Sequence, residues 1–197
     1  MKLLTTFLAI FLNIWVLGQK SKSVKTFAEV KNDSIISVSI KNMTEDSLFI
    51  PTQDSKFYMI KEMKSSSGIW KPIEFWRYST CGNSYFESAT IPPEKSKQTE
   101  IQFTKGKSST EIRIKFLFKN QIYYSNSLKV KLNLSVLNQK KDLYSDSVYK
   151  KALNVSDEKL AAKLVFLEPF AMEELSAKQK QWIERITLKN KKLRENK

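Results

Sequence analysis

The chain reads as a mainly antiparallel β domain followed by an α-helical C-terminal extension. Three observations predict this. First, Ile112, Ile114, Phe116 and Phe118 alternate with Glu111, Arg113 and Lys115, and Leu128, Val130, Leu132, Leu134 and Val136 alternate with Lys129, Lys131, Asn133 and Ser135. A period of two places one face of a strand in a core and the other in water. Two such strands joined by a short connection are expected to be antiparallel neighbours. Second, turn signals recur roughly every 8–12 residues between Lys20 and Leu137, the rhythm of a sandwich of short strands. Third, the chain after Leu137 has no glycine, and Ala, Lys, Glu and Leu rise there.

Taken in order, the chain opens with Met1-Lys2 and a mostly apolar run, Leu3–Leu17, interrupted by Thr5, Thr6 and Asn13. A membrane span needs roughly 20 apolar residues. This run is shorter and is followed by Gly18-Gln19, so residues 1–19 are read as a signal peptide, with an uncleaved anchor as the alternative. The remainder is then exported, to the periplasm or beyond the cell. Val24–Val30 is expected to be a first strand, with Val24, Thr26, Ala28 and Val30 on one parity. Ile36, Val38 and Ile40 mark a second. Leu48–Ile50 is a short strand stopped by Pro51, which lacks a ladder donor. Phe57–Met63 and Ile69–Tyr78 flank Lys64–Gly68 as a hairpin. Ser84–Ile91 is a further strand ended by Pro92-Pro93. Thr99, Ile101 and Phe103 mark another. Lys105-Gly106-Lys107 is read as a turn into the strand from Thr110, and Lys119-Asn120-Gln121 as the turn out of it. Residues 20–137 thus form the sandwich. An immunoglobulin- or fibronectin-like topology is the first expectation and a jelly roll the second.

Residues 138–197 form the helical extension. Ser147–Leu153 can make a short helix. Ser156-Asp157-Glu158 has the form of a helix start, a cap followed by acids at the positive end of the dipole. Leu160, Leu164 and Leu167 line one face until Glu168-Pro169 breaks it. Ser176–Gln179 has capping-box form. Trp182, Ile183, Ile186 and Leu193 then continue one face of an amphipathic helix with a basic end.

Composition excludes more than it assigns. The chain has no His, so Ser-His-Asp and Cys-His catalysis and His-based metal sites are not expected. Its four glycines stand far apart, so neither a dinucleotide fingerprint nor a phosphate loop is present. The lone Cys81 cannot form an intramolecular disulfide. In its turn it reads as a small buried residue, with a reactive or intermolecularly bridged thiol as the alternative. No cofactor and no metal is expected. The net charge of +14 is spread, with 19 Lys/Arg against 11 Asp/Glu in residues 20–137 and 14 against 9 after Leu137. Nucleic-acid binders concentrate such charge on a face or a tail. No nucleic-acid partner is expected, and an anionic surface is the more natural counterpart.

The candidate contact residues are Trp70, Glu74, Trp76, Tyr78 and Trp182. In a strand, Trp70, Glu74, Trp76 and Tyr78 share one parity and Ile69, Ile73 and Phe75 the other. If Ile73 and Phe75 face the core, the first group forms an outer aromatic face suited to sugars or a protein partner. The alternative is that the helical extension covers them. The strand carboxylates Glu74, Glu87, Glu100 and Glu111 could serve glycoside hydrolysis; solvated or ion-paired groups are the plainer reading. The C-terminal helix either packs on the sandwich or lies on a membrane surface or partner.

The run W-K-P-I-E-F-W (Trp70–Trp76), C-G-N-S-Y (Cys81–Tyr85), I-P-P (Ile91–Pro93), T-E-I-R-I-K-F-L-F (Thr110–Phe118) and Y-Y-S-N-S (Tyr123–Ser127) resembles that of uncharacterised exported bacterial proteins with an immunoglobulin-like sandwich. The resemblance covers about residues 34–136 and implies a fold and an envelope location, with no active residues. The expected function is a non-enzymatic exported binding or assembly module whose partner is another envelope protein or a surface polymer. The basic C-terminal helix adds a peripheral membrane contact as a further partner. A carbohydrate-binding or carbohydrate-hydrolysing sandwich, and a protease inhibitor acting through the loop Thr80–Ser84, are the alternatives.

Overall fold

A computed structural model describes residues 23–79, 86–137 and 139–195. The expected signal peptide and the loop carrying Cys81 lie outside the described residues. Eleven strands are described: β1 (Val24–Val30), β2 (Ile35–Asn42), β3 (Leu48–Gln53), β4 (Lys56–Phe57), β5 (Met59–Lys64), β6 (Trp70–Pro72), β7 (Phe86–Ile91), β8 (Ser96–Gln102), β9 (Lys105–Phe118), β10 (Gln121–Tyr124) and β11 (Leu128–Leu132). The helices are α1 (Gln139–Ser145), α2 (Ser147–Val155), α3 (Glu158–Val165) and α4 (Ala171–Glu195).

The strands form three antiparallel groups, β1-β2-β8, β10-β9-β5-β6 with β11 also on β9, and β4-β3-β7. Their apolar sides converge on one core, an arrangement consistent with a β-sandwich. Ile36, Val38 and Ile40 come from the first sheet, Ile112, Ile114, Phe116 and Phe118 from the second, and Ile50 and Ile91 from the third. The two alternations that carried the fold class hold in part: Ile112, Ile114, Phe116 and Phe118 are buried, with Lys115 buried among them, and Leu128–Leu132 pairs antiparallel to β9. Phe116 stacks against Phe118 and meets Phe57 edge-on.

Several local expectations are corrected. Pro51 does not stop its strand. It lies within β3 where β7 is the partner, and β4 pairs only from Thr52 onward, so its missing N–H sits beside an open edge. Gly106 is not in a turn either; β9 begins at Lys105. The register slips between Lys131 and Leu132, and the bulge presses Gly106 on its neighbour. A Cβ there would lie 2.3 Å from the Asn133 nitrogen and the Leu132 oxygen. Glycine marks a close backbone approach here. β11 ends at Leu132, and Leu134–Leu137 coil into a 3-10 turn that leaves Leu134 exposed. The strand reading of Leu134 and Val136 therefore fails. By contrast the turn at Lys119-Asn120 is as expected, a two-residue hairpin with φ of 48° and 55°.

The helical extension has its own small core, built from Tyr149, Ala152, Leu164, Val165, Ala171 and Leu175 among others. Asp146 caps α2, accepting from the Val148 and Tyr149 amides. Asp157 caps α3 through the Leu160 amide. Ser156, which reads as that cap in sequence, instead closes α2 by donating to the Ala152 carbonyl. The extension docks on the outer face of the second sheet, where Ile60 and Trp76 meet Leu167. Leu167 is fully buried at φ 55°, a left-handed conformation that a bulky residue adopts only when its surroundings compel it. The helix expected to run through Leu167 to Glu168-Pro169 ends earlier: α3 stops at Val165, and the left-handed Leu167 turns the chain before the proline is reached. α4 then starts at Ala171, so Ser176 lies inside it and donates back to the Met172 carbonyl rather than capping.

Candidate functional site

The segment after the β5–β6 hairpin decides the fate of the expected aromatic face. Strand geometry lasts only from Trp70 to Pro72, paired with Lys64, Met63 and Glu62. Beyond Pro72 the parity rule lapses, and Ile73 and Trp76 are both buried. The Trp76 amide donates to the Val165 carbonyl at 2.7 Å, and its ring packs 4.9 Å from Tyr58. Tyr78 donates its hydroxyl to the Leu164 carbonyl, and burial raises its pKa. Trp76 and Tyr78 thus belong to the joint with the extension, and the outer aromatic face of Trp70, Trp76 and Tyr78 does not form.

Trp70 lies apart from them, half-buried over cations. The Arg113 guanidinium sits 4.6 Å from its ring and 3.6 Å from the Tyr124 ring. Arg113 is held in turn by the buried Glu62 carboxylate, with Nε–Oε2 of 2.8 Å and Nη2–Oε2 of 2.7 Å. A guanidinium between two rings and a carboxylate is a satisfied structural unit. It also occupies one side of the Trp70 ring.

Glu74 stands in an open cleft of about 720 Å³ between the β5 and β8 sides of the sandwich. One of its oxygens accepts from the Lys61 amide at 2.7 Å, and the other pairs with the Lys61 ammonium at 2.6 Å. That ammonium, 10% exposed, also donates to the Gln102 carbonyl on β8. The pair therefore ties the two sheets at the mouth of the cleft. Asp54, Lys56, Arg77 and Glu100 also line it. Gln53 is buried with its amide donating to the Arg77 carbonyl, and its own side-chain oxygen has no hydrogen-bond partner. Glu100 pairs with Lys31 and Glu111 with Lys64 at the surface. Glu74, Glu100 and Glu111 are thus each engaged by a lysine. Sequence reasoning found Glu74 and missed Lys61 and Gln53, whose long polar side chains gave no periodic signal of burial. Among the described residues no group of three or more His, Cys, Asp or Glu is placed to hold a metal.

Trp182 lies far along the chain from these groups, on α4. At 1.5 Å per residue the 25 residues of this helix extend for about 37 Å. Ala171 and Leu175 are buried, and every residue from Ser176 to Leu193 is exposed. The first turns pack on α2 and α3, and the rest projects. Glu173 in the first turn accepts from the Asn120 side chain, which holds its carboxyl below the usual range. Lys163 pairs with Glu174. Beyond these anchors Trp182, Ile183, Ile186 and Leu193 stand 42%, 57%, 38% and 56% exposed. Leu175, Trp182, Ile186 and Leu193 are spaced i, i+7, i+11 and i+18, which is one helix face. The face that docks the helix is therefore continuous with the face that is left bare. The packing of Trp182 and its neighbours against the sandwich does not occur. Among the described residues no helix is long and apolar enough to cross a membrane.

No protein-family model matches the chain, and no curated protein matches it either.

Proposed function

We propose that this chain is an exported, non-enzymatic binding or assembly module. The sandwich and the docked helices are its scaffold, and the projecting part of α4 is its contact element. The single observation behind this reading is the exposure of Trp182, Ile183, Ile186 and Leu193 on a helix anchored at its start by the buried Ala171 and Leu175. A soluble helix normally buries its apolar stripe, and large exposed apolar side chains in one patch mark a docking site. The partner is another envelope component. Export is supported by the N-terminal apolar run and by a single cysteine in the whole chain. An immunoglobulin-like topology is supported by the strand order: β1-β2-β8 corresponds to A-B-E, and β5-β9-β10/β11 to C-F-G.

The carbohydrate reading draws less support. It needs a free carboxylate beside a bare aromatic platform, whereas Glu74 is paired and Trp76 is covered. The inhibitor reading rests on Thr80–Ser84, outside the described residues.

The test is capture from an envelope fraction, lipids retained, by immobilised chain 20–197 and by its Trp182→Ala/Ile186→Ala/Leu193→Ala variant. The full chain is expected to retain one or more envelope components that the variant loses. Identical retention by both would refute α4 as the contact element.

A further inference from the structure

We infer that the exposed face of α4 is a docking surface for an anionic phospholipid bilayer, on which the helix lies flat. This rests on the reading of α4 as the contact element and names what it contacts. After Ser176 the chain carries eight Lys/Arg against two acids, Glu184 and Glu195. Their placement matters more than their number. At roughly 100° per residue, Trp182, Ile183, Ile186 and Leu193 span a stripe about 100° wide. Lys178, Arg185 and Lys189 fall along one border of that stripe, and Glu184 falls on the far side. Cations bordering an apolar stripe can reach phosphates while their stems lie on the acyl boundary. An indole on the stripe suits the same interface, with its apolar body inward and its N–H toward the headgroups.

The same charge pattern argues against a second copy of the chain. A paired helix would set Lys178, Arg185 and Lys189 of each copy beside a shared seam with no acid on that border beyond Ser176, whereas coiled coils place opposite charges there. Lys189 would in addition enter the seam itself, four residues before Leu193. Leu188 lies off the stripe and takes no part. The geometry also explains why the helix would lie on the bilayer rather than cross it: the exposed length is too polar on three sides.

The test uses chain 20–197 with vesicles of phosphatidylglycerol and phosphatidylcholine, against phosphatidylcholine alone. Co-sedimentation is expected with the anionic vesicles, together with a blue shift in tryptophan emission that Trp182→Phe abolishes. Binding should fall as salt is raised. Arg185→Gln/Lys189→Gln should weaken it on the order of 30-fold, and Ile186→Ser/Leu193→Ser should weaken it at least tenfold. These side chains are exposed, so unchanged circular dichroism and thermal melting check that each variant is folded. Equal sedimentation with both vesicle types, or binding indifferent to both double variants, overturns the lipid assignment. A dimer in sedimentation equilibrium that Ile186→Ser/Leu193→Ser dissolves would give the face to a second copy and also overturn it. If an envelope protein is captured through α4 while vesicles are ignored, the lipid partner is wrong and the contact element stands. If neither is bound, both readings fail.

Discussion

Lys115 carries the clearest lesson at the level of one residue. It stands on the polar parity of β9, between Ile114 and Phe116, yet it is 1% exposed. Its ammonium donates to the Phe166 carbonyl at 2.8 Å and pairs with Glu168 at 2.5 Å. The extension covers it, so a position that alternation assigns to water becomes the polar pin of an internal joint. Lys115→Met keeps most of the volume and orphans the Phe166 carbonyl, which should cost about 1–3 kcal/mol in urea unfolding. Glu168→Gln should cost much less, because Glu168 is 41% exposed and water replaces the lost charge. A smaller effect for Lys115→Met than for Glu168→Gln would refute this assignment. Asn120 and Glu173 make a second pin. The Asn120 side chain donates to Glu173 and lowers its pKa from the ordinary 4.5. A lowered folded pKa means a contribution that is intact above about pH 4.5 and lost as pH falls through the folded value. Asn120→Asp tolerates the left-handed turn but removes the donor. The Glu173 carboxyl, followed by NMR titration, should then move back to the ordinary range or above it.

Among the elements, β9 and α4 ran longer than sequence reasoning expected, whereas β6 and β11 ran shorter. β9 is 14 residues long because its first residues run on past a bulge instead of turning. Gly106→Ala puts a methyl group into the backbone of Leu132 and Asn133. It should destabilise the chain by roughly 3 kcal/mol or more, an overpacking cost that rigid backbone cannot relieve. An unchanged denaturation midpoint would show that the bulge is looser than described. α4 is a cantilever. Every residue from Ser176 to Leu193 is exposed, and most helical stability in proteins comes from packing an apolar face, which this stretch leaves bare. Amide exchange in residues 180–193 should therefore be orders of magnitude faster than in β2 or β9, and should slow on anionic vesicles. Protection equal to the core strands would refute the cantilever.

For the whole molecule, the extension divides into a docked part and a free part, and deletions should tell them apart. Truncation after Ala177 removes only exposed side chains among the described ones, Lys178 to Leu193, and should leave the melting temperature within about 2 °C. Deletion of Asp142–Lys197 strips Ile60 and Trp76 of their cover and leaves Lys115 without its carbonyl. At roughly 1.5–3 kcal/mol per uncovered apolar side chain, a fall of about 10 °C or more is expected. A capture experiment with the longer deletion would thus confuse lost recognition with lost folding. The amino-acid sequence by itself determined the β character, the antiparallel pairing of the two central alternations, the hairpins around Gly68 and Asn120, and the helical character of the tail, because periodicity and turn chemistry are local. Only tertiary structure decided which faces are covered: it buried Lys115 and Trp76, engaged Glu74 with Lys61 and Trp70 with Arg113, and left Trp182 bare. Whether a polar parity meets water or another layer depends on segments some 50 residues distant, and no local pattern encodes that distance.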